Sequence, residues 1–69
     1  MPKITPTQAR KLAKQAVKVV TVDNPEPVAD LTVLFRNRDG TYSVTDNGEE
    51  VICHTAAQAI KIIVENLTL

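Results

Sequence analysis

The sequence is poor in the residues that most often mark covalent chemistry or metal binding. It has one cysteine, one histidine, two glycines, two aromatic residues (Phe35 and Tyr42) and no tryptophan. A single cysteine excludes an internal disulfide framework. No apolar run approaches the ~18 residues of a membrane span. The Met1-Pro2-Lys3 start lacks the apolar stretch of a signal peptide. Both glycines sit in turn dipeptides, Asp39-Gly40 and Asn47-Gly48, which leaves no glycine-rich loop to cradle a phosphate. Net charge is absent as well, with eight Lys or Arg against eight Asp or Glu. These absences lead us to expect a cytoplasmic chain with no membrane partner, no cofactor and no small-molecule substrate.

What is present is aliphatic. Hydrophobic residues make up 43% of the 69 residues, so the core must be built from Val, Ile, Leu and Ala. The length suits one small domain spanning residues 1–69. A domain of this size buries only about 60% of its unfolded surface. It would gain from association, which is a first pointer to a homodimer.

The zero net charge is an average over two unlike regions. Residues 1–22 carry Lys3, Arg10, Lys11, Lys14 and Lys18 with no acid, a balance of +5. Residues 23–69 carry three cations against eight acids, a balance of −5. Such asymmetry can mark a polyanion-binding element, and it is also what a solvated helix face looks like.

Thr5-Pro6-Thr7-Gln8 predicts a helix start, with Thr5 as N-cap, Pro6 at the first helical position and Gln8 completing a capping box. The helix is expected to run to Val19 or Val20. At ~100° per residue, Ala9, Leu12, Ala13, Ala16, Val19 and Val20 share one side, and Arg10, Lys11, Lys14 and Lys18 gather opposite. Asp23-Asn24-Pro25-Glu26-Pro27 reads as an extended connector, because its prolines forbid helix.

Residues 30–46 read as a hairpin around Asp39-Gly40, and Asn47-Gly48 supplies a second turn before Glu49-Glu50-Val51-Ile52-Cys53-His54. Treating both dipeptides as two-residue loops sets Phe35 opposite Val44, Val44 opposite Val51, and Tyr42 opposite Cys53. Val33, Phe35, Tyr42, Val44, Val51 and Cys53 then share the apolar face. Thr32, Leu34, Arg36, Thr41, Ser43, Thr45, Glu50, Ile52 and His54 share the other.

Thr55-Ala56-Ala57-Gln58 opens a second helix with the same capping solution. Ala59, Ile60, Ile62, Ile63, Val64 and Leu67 give it a wide apolar arc, so it is expected to be heavily buried, with Ile62 on the flank of the arc. The expected fold is α+β: a three-stranded antiparallel meander in α-β-β-β-α order, with both helices on the apolar face. This order and length resemble the double-stranded-RNA-binding domain. The Asn37-Arg38-Asp39-Gly40 loop is shorter than that family's, and the opening of the second helix lacks its lysine cluster, with Lys61 alone nearby. No residue role is carried over. The strand-strand-strand-helix part also resembles small integrase arm-type DNA-binding domains, again without a shared motif.

The residues offer little for catalysis. Cys53 and His54 are adjacent on a strand, so their side chains point to opposite faces and cannot form a dyad. One Cys and one His do not make a zinc site. Cys53 reads as a small core residue and His54 as the residue before a helix cap. The sequence therefore points to a non-catalytic interaction module, binding a protein partner or a second copy of itself. Its candidate interface is Leu34, Arg36, Ile52 and Ile62. The alternative is a nucleic-acid-binding domain whose first helix meets phosphates through Arg10, Lys11, Lys14 and Lys18, with Lys3 as an addition.

Overall fold

A computed structural model describes residues 4–29 and 31–68. The chain is α+β. Helix α1 (Pro6–Val19) is followed by strands β1 (Glu26–Pro27), β2 (Thr32–Arg36), β3 (Tyr42–Asp46) and β4 (Glu49–Cys53), and then by helix α2 (Ala56–Thr68). The strands form one antiparallel sheet in the order β1-β2-β3-β4.

The two helix starts follow from their threonines. The Gln8 N–H donates to Thr5 Oγ1 at 3.2 Å, and the Thr5 N–H donates back to Gln8 Oε1 at 3.4 Å, closing the expected capping box. In α2 the Gln58 N–H donates to Thr55 Oγ1 at 3.1 Å. The Gln58 side chain, however, reaches one residue further back and accepts the His54 N–H at 2.7 Å. That bond fixes the corner between β4 and α2.

The sheet has four strands where the sequence suggested three. The segment read as a connector contains β1, with Glu26 opposite Leu34 and Pro27 opposite Val33. The Val28 N–H donates to the Thr32 carbonyl at 2.9 Å. Residue 28 and, by alternation, residue 26 thus turn their backbone groups towards β2. Pro25 and Pro27 turn theirs outward, where a missing N–H costs no ladder bond. The proline spacing that forbids helix is therefore compatible with an edge strand.

The second correction concerns register. Asn47 and Gly48 have φ of 53° and 87°, so their two-residue turn is of the I′ kind, and Val44 lies opposite Val51 as expected. The first hairpin differs. The Asn37 N–H donates to the Thr41 carbonyl at 2.9 Å and the Gly40 N–H to the Asn37 carbonyl at 3.2 Å, which makes the loop three residues long, Arg38-Asp39-Gly40. One extra loop residue moves β2 by one position and turns every side chain over. Leu34, not Phe35, is opposite Val44, and Phe35 is opposite Ser43. Leu34 and Thr32 therefore face the helices, while Val33 and Phe35 lie half-buried on the outer face.

The core draws on both helices and one sheet face. Ala13, Ala16, Val20, Leu34, Val44, Cys53, Ala59 and Ile63 form one buried cluster. The two helices pack chiefly against each other; α2 lies over β3, and α1 reaches the sheet at β1. The buried positions of α1 are alanines, so that helix approaches its neighbour closely and leaves Leu12 and Val19 substantially exposed. Helix α2 is less buried than its apolar arc suggested: only Ala59 and Ile63 are fully buried. No described helix is long and apolar enough to cross a membrane.

Candidate functional site

The candidate interface residues do not stay together. Leu34 is fully buried beneath the helices, because the longer first loop carries it to the core face. Arg36 shares that face. It pairs directly with Tyr42, and its guanidinium lies 5.7 Å from the centre of the tyrosine ring, a cation–π arrangement. Leu34 is thus lost to any open surface, whereas Arg36 stays exposed at the end of β2, on the helix side of the sheet. Ile52 is 50% exposed on the outer face of β4. Ile62, on the flank of α2, is half-buried.

Ile52 and Ile62 meet at a groove of about 310 Å³ between β4 and α2. Val51 is its third apolar wall, and Lys61 and Glu65 lie along its helical side. Sequence reasoning placed Val51 on the core face, and it is there, yet it remains 43% exposed. The reason is that α2 returns over β3 rather than over the last strand. Cys53 also lines the groove but is itself buried, and that burial pushes its thiol above the ordinary value, towards the unreactive neutral form.

The two sheet edges differ. At β1 the edge is only two residues long and is flanked and capped by Pro25 and Pro27, a blunted edge of the kind that resists strand addition. At β4 it is five residues long with no proline. In a two-residue hairpin the residues flanking the turn, Asp46 and Glu49, exchange hydrogen bonds. By alternation so do Val44 with Val51 and Tyr42 with Cys53. The N–H and C=O groups of Glu50 and Ile52 therefore point away from β3, along the free edge. The same alternation, carried across β3, accounts for the bond between Asn37 and Thr41.

The basic face is present on α1. Arg10, Lys11, Lys14 and Lys18 are all exposed, and the first turn of the helix carries no acid. Lys3 lies outside the described residues. Among the described residues, no three His, Cys, Asp or Glu side chains come close enough to hold a metal ion. Comparison with protein families, characterised proteins and solved structures found no match for this chain.

Proposed function

We propose that this chain is a small, non-catalytic interaction module that binds a protein through the β4 edge and the groove beside α2. The observation carrying this reading is the β4 edge, unpaired among the described residues, on which exposed Val51 and Ile52 adjoin Ile62. An added strand would gain main-chain hydrogen bonds from the edge and side-chain contacts from the groove. Cys53, free and buried, is in keeping with a reducing, cytoplasmic setting. The test is co-purification from the source cells with the full chain, Ile52→Lys, and Arg10→Glu combined with Lys14→Glu. A bound protein should be lost with Ile52→Lys and kept with the charge-reversed helix. Retention on Ile52→Lys would sink the reading.

A second reading is favoured by the α1 face. Four exposed cations on one side of a helix without an acid in its first turn could meet phosphates. It predicts duplex binding that weakens steeply with salt and disappears when Arg10, Lys14 and Lys18 become Glu. The acidic balance of residues 23–69 weighs against it.

A further inference from the structure

We infer that the occupant of the β4 edge is the β4 strand of a second copy, running antiparallel about a two-fold axis at Val51. This rests on the interaction-surface reading above and names its partner. The backbone supplies the first argument. Glu50 and Ile52 present the free donors and acceptors of the edge, with Val51 between them. A two-fold at Val51 sets Glu50 opposite Ile52 of the partner subunit and Ile52 opposite Glu50 of the partner subunit. Every free group of those two residues then finds a match, because hydrogen-bonded pairs recur at every second residue.

Neighbouring registers do less well. Centring on Glu50 puts two carboxylates directly opposite each other, which is destabilising. Centring on Ile52 calls on the His54 N–H, which already donates to Gln58 Oε1. The preferred register is thus selected by charge repulsion on one side and by a bond already made on the other.

The side chains supply the second argument. On the helix side, Val51 would meet the partner's Val51 as a close pair, with Ile62 beside it, covering the apolar wall that α2 leaves bare. The same symmetry runs the two α2 helices antiparallel across the join. Lys61 and Glu65, one turn apart on the groove side, then face Glu65 and Lys61 of the partner subunit, so the rim is self-complementary in charge. The opposite edge offers no such match, since Pro27 has no N–H to give.

The test uses the full chain in sedimentation equilibrium and amide hydrogen exchange. The expected result is a species of twice 7.5 kDa at high micromolar concentration. In that species the Glu50 and Ile52 amides should be as protected as that of Val51, and they should lose protection on dilution. Val51→Lys, which sets two lysines directly opposite each other at the two-fold, should give a folded monomer in which those two amides exchange freely. Ile52→Pro, which removes an outward N–H without touching the β3 ladder, should do the same. A strictly monomeric parent overturns the proposal, as does a dimer that survives both variants or leaves the two amides exposed. A monomeric parent whose bound cellular protein is still lost with Ile52→Lys would overturn the second copy as occupant while sparing the interaction surface. Retention of that protein would sink the surface reading itself.

Discussion

Leu34 stands directly opposite Val44, one residue away from the pairing that a two-residue Asp39-Gly40 turn would impose. That single step decides which β2 side chains reach the core. Leu34 is fully buried, and Val33 is half-buried on the other face. Leu34→Ala should therefore cost about 2–5 kcal/mol, the usual range for a buried leucine. Val33→Ala should cost clearly less. Urea denaturation of the two variants checks the order, and a larger loss for Val33→Ala would mean that the shorter loop and its register are correct.

The extra loop residue depends on Gly40. Its φ of +91° lies in the region that residues with a Cβ avoid, and beyond its chain neighbours no heavy atom lies within 4 Å of the place a Cβ would take. The expected penalty for Gly40→Ala is therefore one of backbone conformation alone, about 1–2 kcal/mol. Gly40→Asn should recover part of it, because asparagine tolerates positive φ better than alanine. Equal losses for Ala and Asn would point to a steric cause instead.

How far the fold could be read from the sequence follows from the range of the signals. Thr5 with Gln8, and Asn47 with Gly48, act within a few residues, and both the first helix start and the second hairpin form as expected. The Asp39-Gly40 dipeptide alone is compatible with loops of two or three residues, and the longer one also needs Asn37 to open a type I turn that Gly40 closes with positive φ, with Asn37 and Asp39 both bonded to Thr41. Burial of Leu34 in the core cluster adds a tertiary contribution in the same direction. The strand at Glu26–Pro27 was hidden because its prolines suppress the usual strand signal and mark only an edge. For the site, Ile52 and Ile62 were legible as apolar residues out of place. Val51 was not, since its exposure depends on where α2 crosses the sheet.

Asp39 gives the same loop a pH signature. Its carboxylate accepts the Thr41 hydroxyl at 2.6 Å and the Thr41 N–H at 3.0 Å. These bonds, the hydroxyl's first, favour the charged form and hold the carboxyl below its ordinary value. A depressed folded-state pKa stabilises the fold above the unfolded-state value, and that contribution is lost as the pH falls through the folded-state value. An NMR titration of the Asp39 side chain should show a midpoint below that of an unstructured aspartate. Thr41→Val removes the hydroxyl and should move the midpoint upward. A midpoint indifferent to Thr41→Val would dismiss the hydroxyl as its cause.

On α1 the small residues should matter more than the large one. Ala9, Ala13 and Ala16 are its buried positions, and Ala13 belongs to the same cluster as Ala59 and Ile63 of α2. Leu12, which a helical wheel places with the core, is 45% exposed. Side chains as small as alanine let two helices approach closely, and a larger one must force them apart or leave its rotamer well. Ala13→Leu should accordingly destabilise the fold by about 1–3 kcal/mol, although it adds apolar surface and lowers helix propensity only slightly. Leu12→Ala should cost less than about 1 kcal/mol, since much of that side chain is in water in the folded state. Thermal and urea unfolding of the pair decide the matter. If Ala13→Leu is neutral, α1 and α2 are not in close contact along the alanine stripe, and the core must be held mainly by α2 over β3.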